Sequence, residues 1–400
     1  MTGEEAKRLS GQYRDQLLEI MEEWADHTLD LENGGFDVDF ERDWTLRSHE
    51  KNIWAQARQT YMFAAVYQQA DRNEKWLRVA EAGRDFLTKY AYAGGGRWNY
   101  RLSDDGKQVE QGTCSIFADM FVLMALSQYA EASGDRRDLS LIEDTFHSIK
   151  NHIPDPEFRD LLPHIWRRGI CRHSPYMIAI NAVSVAGRIL GRDKVKPFLS
   201  QCIEKVLYFF GENESGFLLE SLKEDGKIWD TPEGRIVNPG HIFEGMAFCI
   251  DEFLRDGELG EDLARAVKMI RETAAISLDR EFGGIFGAFD YKTPGRLQDV
   301  RDEETNKIDW VNCEALYAFA LAAVLGEDEK AEEDYRELHD YCERFFRSES
   351  GGDWYPLLGR SGNIIRDHRG GKHRAAFHVP RALLRLSLLF AAFSNEKIEH

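Results

Sequence analysis

Two histidines stand in company that could do acid–base chemistry. His241 lies in Asn238-Pro-Gly-His-Ile-Phe-Glu244, where Asn238 can cap a helix, Pro239 suits its first position, and His241 and Glu244 share a face three residues apart. A carboxylate one turn away can orient an imidazole and raise its basicity. His378 lies in Phe377-His-Val-Pro-Arg381 and opens a strongly apolar final helix after the polar loop Gly370-Gly-Lys-His-Arg374. With a reference pKa of about 6.5, imidazole can give or take a proton at neutral pH. Either histidine could instead be a cap or a loop-fixing donor. His-x-x-Glu is also a familiar pair in metal sites, but no HExxH, CxxC or dense carboxylate cluster supplies the remaining ligands, so no metal is expected.

Two charged residues raise a related question. Arg58, in Trp54-Ala-Gln-Ala-Arg58, and Glu314, in Trp310-Val-Asn-Cys-Glu314, sit in apolar helical stretches. A buried charge without a partner is costly, so each should have a polar partner, either a structural ion pair or a ligand. Other chemistries find little support. Gly94-Gly-Gly96 precedes an aromatic ribbon and not a GKS/T followed by a helix, no GxSxG occurs, and each cysteine lies in an apolar context.

The elements that must position these residues are mostly helices. Apolar residues recur at i, i+4, i+7 and i+8, as in Ile53, Ala57, Tyr61, Ala64 and Ala65. Caps and breakers place twelve helices near 4–27, 53–70, 74–91, 115–133, 136–152, 174–191, 194–211, 238–256, 260–277, 309–326, 331–347 and 376–394. Between them a glycine, then an aromatic or apolar residue, then a short alternating run recurs five times, marked by Gly35, Gly96, Gly216, Gly284 and Gly352. Asp105-Gly106, Asp225-Gly226 and Ser361-Gly362 read as hairpin turns, so several of these runs are β-ribbons in the loops. The markers recur about every 65 residues with one double interval, which predicts six helix-pair units, the sixth marker being lost near residues 154–163. Six pairs close into an α/α toroid if the first packs on the last, with the glycine-marked loops at one rim around a cleft. No linker rich in Pro, Gly or Ser divides the chain, so one domain over 1–400 is expected. The aromatics of the glycine-marked loops could pack helix ends or stack on sugar rings.

Composition sets the bounds. The chain has 400 residues, 43% hydrophobic and 30% charged, with only 10 prolines, as a soluble globular protein does. Fifty-one Lys+Arg against 70 Asp+Glu give a net charge of −19, which repels phosphate backbones and anionic lipid, so neither nucleic acid nor membrane is an expected partner. The six cysteines are scattered with no CxxC pair, the N-terminus is polar, and the most apolar stretch, 383–393, is short and carries Arg385. A reducing cytoplasm is the expected location.

In order along the chain, KNIWAQARQTYMF (51–63), SIFADMFVLMAL (115–126), NPGHIFEG (238–245), FGGIFGAFD (282–290), WVNCEAL (310–316) and AAFHVPRALL (375–384) resemble blocks of the N-acylglucosamine 2-epimerase superfamily. That superfamily includes cellobiose 2-epimerases and mannose-type aldose-ketose isomerases. The resemblance implies an all-α (α/α)6 barrel, in agreement with the six units. It further implies that His241 and His378 are the proton-transfer pair, with Glu244 their companion, that Arg58 contacts the sugar near its reacting carbons, and that Glu314, Trp310, Asn312 and Asp119 line or support the pocket. Asn312, Cys313 and Asp119 depart from residues common in members of the superfamily, a difference that bears on substrate choice.

The implied chemistry is proton abstraction from C2 of an open-chain aldose, whose neighbouring carbonyl acidifies that hydrogen. Removal gives an enediolate, return on the other face gives the 2-epimer, and return to C1 gives a ketose. Arg58 would stabilise the oxyanion, and no cofactor is required. The expected substrate is an N-acyl-D-glucosamine/N-acyl-D-mannosamine pair. Mannose/glucose-type isomerisation and cellobiose 2-epimerisation are the alternatives within the family. A glycoside hydrolase on the same toroid, using paired carboxylates such as Asp290 and Asp353, is the more distant one. A homodimer and a nucleotide effector, as some acylglucosamine epimerases use, are left open by the residues.

Overall fold

The computed structural model describes residues 1–107, 109, 114–161, 166–292, 305–326, 329–348, 351–371 and 373–398. Twelve α-helices run through the described residues: α1 Gly3–His27, α2 Ile53–Gln69, α3 Glu74–Phe86, α4 Ile116–Ser133, α5 Leu139–His152, α6 His173–Leu190, α7 Arg192–Glu204, α8 Pro239–Asp256, α9 Glu261–Ser277, α10 Asp309–Gly326, α11 Glu329–Tyr341 and α12 His378–Ile398. The twelve expected helices are all present. The apolar pattern of three outer helices runs past their α-helical ends, because α3, α7 and α11 each continue into a wider π-helical turn at Leu87–Ala91, Lys205–Phe210 and Cys342–Phe346.

Even-numbered helices form an inner ring in which α2, α4, α6, α8, α10 and α12 pack in turn and α12 returns to α2. Burial follows from this. In α4 every residue from Ile116 to Ala130 is buried, whereas the outer α3 buries a single stripe, Trp76, Val79, Ala80, Gly83 and Phe86, as a helix with one wet face must. The ring closes through the chain ends. Helix α1 packs on α12, Tyr13 Oη shares hydrogen bonds with Tyr335 Oη at 2.8 Å and His339 Nδ1 at 2.7 Å, and Asp39–Phe40 pairs antiparallel with Arg369–Gly370. The architecture is therefore an (α/α)6 toroid with short rim ribbons. No described helix is long and apolar enough to cross a membrane.

The repeat is physical as well as sequential. All five marker glycines have φ between 69° and 75°. At Gly35 a Cβ would come within 2.6 Å of Gln56 Oε1 and 2.7 Å of the Phe86 ring, so both dihedral and space require glycine. Between α5 and α6 the corresponding stretch carries Pro154 and Pro156, and residues 162–165 lie outside the described residues.

The first and fifth units also share a brace that the glycine markers did not disclose. Lys51 Nζ, fully buried, binds Asp30 Oδ2 at 2.7 Å, and Lys307 Nζ, likewise buried, binds Asp279 Oδ2 at 3.1 Å. In the same units Gln56 Oε1 accepts from Phe36 N at 2.8 Å and Asn312 Oδ1 accepts from Ile285 N at 2.7 Å. Asn312, expected to line the pocket, thus sits away from it, because its amide is spent on loop backbone. Asn312→Ala should lower stability by about 1–3 kcal/mol in urea unfolding, the cost of an orphaned buried N–H, with substrate KM unchanged. A changed KM at full stability would put Asn312 in contact with substrate after all.

Candidate active site

All six inner helices begin at one rim, and their first turns enclose a cavity of about 370 Å³. Trp54 and Arg58 come from α2, Phe117 from α4, Ser174 and Ile178 from α6, His241 and Glu244 from α8, Asp309 and Trp310 from α10, and His378 from α12. Their positive dipole ends converge on one space, which favours negative charge developing there.

Sequence chemistry places each histidine. Asn238 caps α8 by accepting from His241 N at 3.2 Å, and Pro239 occupies the first turn as expected. Gly240 is required by a close approach, since a Cβ there would lie 2.6 Å from the Trp310 ring. That indole neighbours both imidazoles, with ring centroids 5.3 Å from His241 and 5.5 Å from His378. His241 Nδ1 is 2.7 Å from Glu220 Oε1, and His378 Nδ1 is 2.8 Å from Glu314 Oε1. Each carboxylate requires the proton on Nδ1 and leaves Nε2 for the cavity.

The orienting partner of His241 is therefore Glu220, not Glu244 one turn along the helix. Glu244 points instead to the guanidinium of Arg381, whose Nη2 also donates to Glu314 Oε1 at 2.5 Å. Burial drives the His378 pKa well below its ordinary 6.5, and the cation of Arg58 adds to this. Burial pulls His241 the same way, but the adjacent Glu220 carboxylate outweighs it and holds that imidazole above 6.5. The two imidazoles of one cavity are thus shifted in opposite directions, the arrangement that separates an acid from a base.

Among the described residues Arg58 has no ion-pair partner at contact distance. Its Nη1 donates to His373 O at 2.8 Å, its guanidinium lies 4.2 Å from the Phe121 and 4.5 Å from the Phe377 ring centroids, and its buried Nε finds no acceptor. Burial lowers its pKa to about 9. A buried cation with a free N–H beside the cavity is suited to a ligand oxygen. Asp119, expected at the pocket, is fully buried and pins the first ribbon, accepting from Arg97 Nε at 2.5 Å and Trp98 N at 2.7 Å. Asp290 pairs with Arg235 at 2.8 Å outside the cavity, whereas Asp353 lines it.

Sequence reasoning missed Glu220, Arg381, Asp309 and Arg374 as site residues. Arg381 was within reach, one turn beyond His378 on the same helix. Glu220 comes from a ribbon 21 residues before His241, a separation that carries no periodic signal. His173 was missed too. It is fully buried beside this ribbon, both ring nitrogens lack partners among the described residues, and burial lowers its pKa to about 4.

A toroid whose rim presents two carboxylate-oriented histidines and a buried arginine defines a protein built for proton transfer on a small oxygen-rich molecule. The sequence signature of the N-acylglucosamine 2-epimerase (GlcNAc 2-epimerase) family matches residues 34–382, and the chain belongs to that family of sugar 2-epimerases. It is 26% identical to N-acylglucosamine 2-epimerase of Mus musculus over 377 residues, 92% of this chain and 88% of that one. It is 24% identical to cellobiose 2-epimerase of Ruminococcus albus, covering 85% and 90%. A crystal structure of D-mannose isomerase superposes with a TM-score of 0.83 at 16% identity, over 94% of this chain and 97% of that one.

Glu220→Gln should lower the pKa of His241 and shift to lower pH the alkaline limb of kcat/KM, the limb that reports loss of an essential proton. A limb that stays in place would mean that Glu220 does not set the charge of His241.

Proposed function

We propose that this protein interconverts N-acyl-D-glucosamine and N-acyl-D-mannosamine by proton transfer at C2, with His241 and His378 as the acid–base pair. The observation that carries the reading is the pair of imidazoles that both neighbour Trp310, each held through Nδ1 by a glutamate. In one direction neutral His378 Nε2 takes the C2 proton, the electron pair moves into the C1 carbonyl, and the oxygen of the resulting enolate is met by Arg58 and the converging helix ends. His241, holding its proton, delivers it to C2 from the other side, and the roles exchange in reverse. The N-acyl assignment over the other family activities rests on the acylglucosamine epimerases, such as that of Mus musculus, matching more of this chain than the cellobiose enzyme does.

His241→Asn and His378→Asn should each reduce epimerisation at least about a hundredfold while the fold survives. Each should retain C2 deuterium exchange in D2O with only one epimer, and the favoured epimer should differ between the two. Labelling of the same epimer by both would point to a single shuttling base, and a ketose formed from a 2-hydroxy aldose such as mannose would indicate isomerisation.

The proposed mechanism uses no metal. Glu244, Glu314 and His378 could together hold an ion, but the Arg381 guanidinium already bridges the two carboxylates, and a second buried cation would be repelled by it. Exhaustive dialysis against a chelator should leave the rate unchanged. Loss of activity restored by one divalent ion would contradict the metal-free route.

A further inference from the structure

Arg58 is the cation assigned to the reacting oxygen, so what supports its charge inside the barrel bears on the reaction. A buried guanidinium is ordinarily met by a carboxylate. The carboxylates near enough to act on Arg58 are those of Glu244 and Glu314, and both are bonded to Arg381 instead. One carbonyl, His373 O, takes Nη1 at 2.8 Å. The rest of the support is aromatic.

Three rings from three segments meet at this guanidinium. Its Cζ lies 4.2 Å from the ring centroid of Phe121 in α4, 4.5 Å from that of Phe377 immediately before α12, and 5.0 Å from that of Trp54 one turn back in α2. Phe121 and Phe377 are buried. Their rings stand at 78° with centroids 5.8 Å apart, so the cation occupies the corner between two faces. Trp54 extends the same wall, its ring 4.9 Å from that of Phe121. An aromatic face carries the negative lobe of the ring quadrupole, and its attraction for a cation grows as water is removed.

Rings in place of a carboxylate have a chemical consequence. A carboxylate at contact distance would hold the cation and also cancel its field. A ring face holds it and leaves the charge for an oxyanion in the cavity that Arg58 lines. Phe377 serves a second cation as well, since its ring centroid is 4.6 Å from Cζ of Arg381, whose charge repels that of Arg58. A ring shared by two like charges gives each its own place, Arg381 on the glutamates and Arg58 at the cavity.

We propose that Phe121 and Phe377 are positioning residues of the reaction: their faces stand in for a counter-ion, keep the Arg58 guanidinium away from Glu244 and Glu314, and so leave its charge free for the enolate oxygen. The inference rests on the reading of Arg58 as the group that meets that oxygen. Mono-, di- and trifluorophenylalanine in place of Phe121 keep the shape of the ring and drain its face stepwise. The kcat for epimerisation of N-acetylglucosamine should fall with each fluorine, to about a tenth in the trifluoro variant, with KM within about twofold of wild type. The same series at Phe377, whose ring also serves Arg381, should lower kcat at least as far. Urea unfolding reads the contact without substrate. The trifluoro ring at Phe121 should lower the folding constant about tenfold in wild type and leave it unchanged beside Arg58→Met.

A kcat that stays flat along the series, a change in KM alone, or equal destabilisation with and without Arg58 would mean that the rings only fill space, and would overturn the inference. If the trifluoro variant fails to fold, the mono- and difluoro variants carry both comparisons. If wild type exchanges the C2 proton of no sugar, the epimerase reading fails instead, and the unfolding cycle then decides whether the rings hold the cation.

Discussion

One guanidinium ties the barrel to its chemistry. Arg381 projects from α12 and bonds Glu244 of α8 and Glu314 of α10, so three inner helices meet on one buried cation. With Arg381 and both glutamates under 5% exposed, removal of any partner would strand a charge away from water, a cost of about 3–5 kcal/mol. The contact therefore fixes the spacing of the helices on which His241, Trp310 and His378 stand. It also shares Glu314 with His378, so the group that holds the ring together orients one of the two imidazoles.

The functional asymmetry follows from that placement. Near His378 lie the cations of Arg58 and Arg381 in a dry setting, and both disfavour a further positive charge. Near His241 lies the carboxylate of Glu220 from a rim ribbon, and it favours one. The barrel thereby places two chemically identical side chains of one cavity in opposed fields. Trp310 packs beside both, and Gly240 admits its ring.

The architecture was largely legible in the sequence because its signals are local. Helical periodicity, the Asn238-Pro239 start and the recurring positive-φ glycines each belong to a few consecutive residues, and the toroid follows from repeating them. His241, His378 and Arg58 were legible for the same reason, since each lies in the first two turns of a helix. What eluded the sequence is pairing across the ring. Glu244 looked like the partner of His241 because it lies three residues on, yet the ribbon residue Glu220 takes that place and Glu244 turns to Arg381. Asp119 and Asn312 stand in helix starts near pocket residues, but their side chains are committed to backbone N–H groups, of Trp98 and Ile285. Arg374 gave no signal, because its meaning depends on two aspartates 21 and 65 residues away in the chain.

The central claim is that the rim shifts its two histidines in opposite directions, His241 up and His378 down. A titration of the wild-type protein with ¹⁵N-labelled imidazoles reports this directly, because the ring nitrogens of neutral and protonated histidine resonate far apart. The account predicts that His378 is neutral across the range in which His241 still holds both protons, with His241 titrating above 6.5. The reverse order, or two histidines titrating together near the ordinary value, would contradict it.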